Sequence, residues 1–62
     1  MKRRELLRHL ENNGCVFFRE GRRPTVYYSP SSRKTSVVPR HTEIGEALAK
    51  KICKDLEVHP PG

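Results

Sequence analysis

Tryptophan is absent from this chain of 62 residues, and no apolar run is longer than Cys15 to Phe18. A helix needs about 20 apolar residues to cross a bilayer, so no segment reads as transmembrane. The basic start, Met1 to Arg8, leads into no continuous apolar stretch and does not read as a secretory signal. The expected location is therefore cytoplasmic. The only cysteines, Cys15 and Cys53, lack the CxxC spacing of zinc sites and read as free thiols filling small apolar gaps. No Ser-His-Asp set, carboxylate pair, glycine-rich phosphate cradle or metal-ligand cluster stands out. The chain is short as well as poor in motifs. A domain of this size buries only about 60% of the surface its unfolded chain exposes, which leaves no room for a deep substrate cavity beside a core. Any chemistry belongs on an exposed face.

Acidic residues are also scarce. Seven Asp and Glu stand against thirteen Lys and Arg, for a net charge of +6. A basic excess on one small domain favours a polyanion or an acidic partner.

The spacing of Leu6, Leu7 and Leu10 predicts a helix over 2–13, stopped at Asn13-Gly14, where glycine permits a left-handed turn. Three short strands follow: Cys15 to Glu20, Thr25 to Tyr28 and Thr35 to Val38, all rich in aromatic and β-branched residues. Their connections, 21–24 and 29–34, are too short for parallel crossovers and predict an antiparallel meander. A last helix is expected over Glu43 to Leu56, with Thr42 as N-cap and Ile44, Ala47, Leu48, Ile52 and Leu56 as its apolar stripe. The expected fold is α+β, in α-β-β-β-α order, with a three-stranded antiparallel sheet carrying both helices on one face. It forms one domain over 1–62 with a loose tail from 59.

Within this frame Arg22 and Arg23 lie in the first turn, Lys34 (after Arg33) in the second, and Arg40 before the last helix. Guanidinium forks match phosphate geometry. Adjacent aromatics on a strand point to opposite faces, so one of Phe17/Phe18 and one of Tyr27/Tyr28 should be core and the other exposed, free to stack a base. Of the three histidines, His41, beside Arg40, is the best placed for proton transfer. The bland reading of His41 is a solvated loop residue, and that of the lysines on the last helix is a solvated face.

Several fragments, in order, carry a resemblance: Met1-Lys2-Arg3-Arg4-Glu5-Leu6-Leu7, Asn13-Gly14-Cys15, Phe18-Arg19-Glu20-Gly21, Val26-Tyr27, Val38-Pro39-Arg40-His41 and Ala49 to Leu56. Together they resemble the HicA toxin family of toxin–antitoxin systems. The resemblance implies a fold like the double-stranded-RNA-binding domain. It implies cleavage of mRNA without a metal ion or other cofactor, and an HicB-like antitoxin as partner. RNA contacts would fall to Arg22, Arg23, Tyr27, Lys34 and Arg40. It also implies one catalytic histidine just after the first hairpin turn, in a frame of glycine, two variable residues, histidine, a variable residue, an aliphatic and an aromatic. Here that frame reads Gly21, Arg22, Arg23, Pro24, Thr25, Val26, Tyr27. Pro24 offers no acid or base, and losing such a group typically slows a reaction by about 10²–10⁴. The expected ribonuclease is therefore inactive or nearly so, with His41 the only surrogate in view. The alternative is a non-catalytic RNA-binding or antitoxin-binding module, as a natural degenerate copy or an engineered inactive variant.

Overall fold

The computed structural model describes residues 1–20 and 25–61. Helix α1 spans Arg3–Asn12, strand β1 Val16–Glu20, β2 Thr25–Ser29, β3 Lys34–Val38, and helix α2 Glu46–Asp55. The strands form one antiparallel sheet in the order β1-β2-β3. The fold is thus the expected α-β-β-β-α.

Strand alternation sorts the sheet. Thr25, Tyr27, Ser29, Ser36 and Val38 are buried on the helix side. They meet Leu6 and Leu10 of α1, Ala49, Ile52 and Cys53 of α2, and Cys15, Ile44 and Leu56 from the connections. On the far side, Val16 pairs with Tyr28 and Val26 with Val37, and this face has no layer over it among the described residues.

Both helices end in the same way. After α1, the amide of Gly14 donates to the Glu11 carbonyl and that of Cys15 to the Leu10 carbonyl, while Gly14 adopts φ +87°. After α2, Glu57 donates to Lys54 and Val58 to Cys53, with Glu57 at φ 56°. These paired bonds satisfy the last carbonyls of each helix through one left-handed residue. They also fold Val58 back onto the core. The carbonyl of His59 accepts a bond from His9 Nε2 at 2.7 Å.

Two expectations need correction. Helix α2 begins at Glu46, with Gly45 as N-cap, and not at Glu43 after Thr42. The Thr42 carbonyl accepts the Arg3 amide at 2.8 Å, Glu43 bridges to Lys2, and Ile44 exchanges backbone bonds with Met1. Residues 42–44 are therefore tied to the chain start and not helical. The later start rotates the buried stripe to Ala49, Ile52, Cys53 and Leu56 and leaves Ala47 and Leu48 exposed. The second correction concerns β1. Phe17 and Phe18 are both 55% exposed. β1 is an edge strand, and a register shift between Phe17 and Arg19 breaks the simple alternation there.

Candidate nucleic-acid interface

The hairpin between β1 and β2 brings Glu20 opposite Thr25, and Thr25 in turn pairs with Val38 of β3. These residues bracket residues 21–24 from both strands. Arg22, Arg23 and Pro24 themselves lie outside the described residues.

A chain of polar contacts joins this end of the sheet to α1 and to the segment leading into α2. Arg3 Nη2 donates to Thr25 Oγ1 at 2.9 Å, and Arg3 Nε to the Pro39 carbonyl at 2.9 Å. Thr25 Oγ1 in turn donates to the Glu20 carboxylate, 3.0 Å from Oε1. The other carboxylate oxygen of Glu20 pairs with Arg40 Nη2 at 3.0 Å. The Thr25 hydroxyl thus accepts from a cation and donates to an anion, which fixes its rotor and the positions of both partners. Arg40 and Glu20 are each about half exposed (52% and 47%), so water screens their attraction and the pair contributes at most about 1 kcal/mol.

Beside this network lies an open cleft of about 480 Å³, lined by Lys2, Arg3, Arg4, Arg40 and Thr42. Four of its five lining residues are cations. None of the ion pairs among the described residues involves Lys2 or Arg4. Three of the cations open α1, where the helix dipole is positive and acidic side chains are the stabilising choice. Glu5, in the same turn, is the dipole-compatible residue and accepts the Lys2 amide at 2.9 Å.

The structure divides the residues expected to contact RNA. Arg40 stands at the end that brackets 21–24, with His41 exposed next to it. Lys34 opens β3 at the opposite end, where it pairs with Glu57 at 3.8 Å. Strand β3 advances roughly 3.4 Å per residue, which separates the two groups by most of the sheet's length. Tyr27 is a core residue, only 5% exposed, with its ring edge-on to Phe17 and its hydroxyl donating to Glu11 Oε2 at 3.3 Å. Burial, reinforced by the Glu11 charge and bond, holds its phenol above its ordinary range. It presents no ring face for a base to stack on. The aromatic surface belongs instead to Phe17 and Phe18, both exposed, and to Tyr28, half-buried on the open face with the Phe18 ring 5.8 Å away.

Lys2, Arg3 and Arg4 lie outside the set of RNA contacts expected from the sequence. The available signal was electrostatic: three consecutive cations where the helix dipole disfavours them.

Cys15 and Cys53 are buried free thiols. Burial pushes both up, against a partly opposing bond from Ser29 at Cys15, and a thiol kept protonated is a poor nucleophile and a poor ligand. Among the described residues no group of three or more His, Cys, Asp or Glu is arranged to hold a metal ion. Nor, among them, is any helix long and apolar enough to cross a membrane.

A profile of the family described as HicA toxin of bacterial toxin–antitoxin systems matches residues 3–58, nearly the whole chain. Comparison with curated proteins and with solved structures gives no significant match.

Proposed function

The chain belongs to the HicA toxin family of bacterial toxin–antitoxin systems, and we propose that it is the RNA-binding component there, restrained by an HicB-like antitoxin in the cytoplasm. The observation that carries this reading is the gathering of Arg3 and Arg40 at the end of the sheet where Glu20 and Thr25 bracket residues 21–24. A flexible single-stranded mRNA can reach such an exposed end, and guanidinium groups held there suit its phosphates. Arg22 and Arg23, between the two strand ends in sequence, would add two more cations to the same grip. An antitoxin covering this end would block RNA and turn together.

Metal-independent endoribonuclease activity, implied by the family resemblance, needs a proton-transfer group at the turn, and Pro24 supplies none. That residue favours the second reading, a module that binds RNA or antitoxin without cutting. The two readings separate in one assay. The protein as it stands and Pro24→His are each incubated with an unstructured RNA in EDTA. The expected result is intact RNA with the first and cleavage with the second, faster by about 10²–10⁴. Intact RNA with Pro24→His would remove the catalytic mechanism from the assignment. Cleavage by the unmodified protein would show that Pro24 is not disabling, and His41→Ala would then test the surrogate.

A further inference from the structure

The cleft beside residues 21–24 gathers more cations than the fold uses, since Lys2 and Arg4 make no ion pair among the described residues. Lys2, Arg3 and Arg4 come from the start of α1, and Arg40 and Thr42 from the segment between β3 and α2. The backbone holds the two walls in register. The Arg3 amide donates to the Thr42 carbonyl, and the Ile44 amide to the Met1 carbonyl, each at 2.8 Å. Two of the cations are positioned before any ligand arrives. Arg3 is held by Thr25 and Pro39, and Arg40 by Glu20. The other two, Lys2 and Arg4, are exposed and unpaired among the described residues. Gathering like charges around one opening is unfavourable unless an anion shares it. The cleft, about 480 Å³ and open to solvent, has room for a phosphate with its sugar.

We propose that this cleft is a phosphodiester-binding subsite that grips the RNA backbone next to residues 21–24, with Lys2 and Arg4 as its ligand-facing cations. The proposal rests on the RNA-binding reading above and adds a place to it. Arg3 and Arg40 are anchors that share Thr25 and Glu20 with the two strands bracketing the turn. A phosphate drawing on Arg40 competes with the Glu20 carboxylate, which is exposed enough to yield it. The subsite reads charge, not sequence, because phosphate contacts position a nucleic acid without distinguishing its bases.

The test is a fluorescence-anisotropy titration of a labelled single-stranded oligoribonucleotide in EDTA, repeated across salt concentrations. It uses the full chain, Lys2→Gln/Arg4→Gln, the charge-keeping Arg4→Lys, and Lys51→Gln/Lys54→Gln. The last removes two charges from α2 and controls for net charge. Lys2 and Arg4 are exposed, so thermal midpoints should match and folding should not confound the comparison. Each phosphate contact to a single strand contributes about −0.7 to the log–log salt slope. The expected result is a slope shallower by roughly 1.4 in the cleft double variant, with several-fold weaker binding to any sequence. Arg4→Lys and the α2 control should keep the parent slope. Equal slopes in the cleft and control variants would overturn the subsite while leaving RNA binding in place. No RNA binding by the unmodified chain would overturn the subsite and the RNA reading together.

Discussion

The two ends of the sheet treat their cations differently. At the end bracketing residues 21–24, Lys2, Arg3, Arg4 and Arg40 converge on one cleft, and Glu20 is the carboxylate paired there. At the other end, where β2 turns into β3 and both helices finish, Lys34 faces Glu57 and Lys51 faces Asp55. That second end also carries helix-terminating bonds and a hydroxyl contact, Ser32 Oγ donating to the Leu56 carbonyl at 3.1 Å. On the proposed reading one end meets an anion, while the other closes the fold. The same overall charge of +6 therefore does two jobs, and net charge alone says nothing about where.

If the second end is the structural one, damage there should appear in stability. Leu56 is fully buried just past α2, beneath the β2–β3 turn. Leu56→Ala should destabilise the protein by roughly 2–5 kcal/mol, enough to leave a domain this small partly unfolded. Urea denaturation followed by circular dichroism measures it. A loss below about 1 kcal/mol would mean that this end can be opened without harm.

Arg3 belongs to both descriptions, and its removal sharpens the boundary between them. Arg3→Ala takes away bonds to Thr25 and Pro39 and leaves the Pro39 carbonyl without its partner. The expected destabilisation is roughly 1–3 kcal/mol, by the same denaturation measurement. Arg3→Lys should recover only part of it, because an ammonium cannot reproduce the guanidinium fork spanning two acceptors. Full recovery by lysine would reduce Arg3 to a point charge and undo its anchoring role.

The parts of this molecule that were legible in its sequence are the ones fixed by local pattern. Leu6 and Leu10 at i, i+4 place the buried face of α1, Asn13-Gly14 marks its end, and the short turns impose antiparallel strands. The start of α2 was not legible. Thr42-Glu43 is a good local helix start, but Lys2 and Arg3, some forty residues earlier, take its backbone into a bridge. Alternation failed at Phe17 and Phe18 because an edge strand has a neighbour on one side only and this one also shifts register. The end of α2 was legible to within one residue, at Leu56, but its closing device was not, since Glu57 takes the left-handed position usually given to glycine. For the site, Arg40 was in view and the cleft was not. Seeing it requires knowing that residues 2–4 and 40–42 are neighbours, which is long-range information.

The smallest expected effect is the one that most directly separates the two ends. Lys34 reads from the sequence as an RNA contact, but it pairs with Glu57 across 3.8 Å, both side chains well exposed. A surface pair of this geometry is screened by water and loses side-chain entropy when it forms. Lys34→Ala should therefore shift stability by no more than about 0.5 kcal/mol. If the far end is closed to RNA, the same variant should also leave the slope of the salt titration unchanged, unlike Lys2→Gln/Arg4→Gln. A slope shallower by about 0.7 in Lys34→Ala would mean that the RNA runs the length of β3 and reaches both ends. The binding surface would then be a track along the sheet, with the cleft as one stop on it.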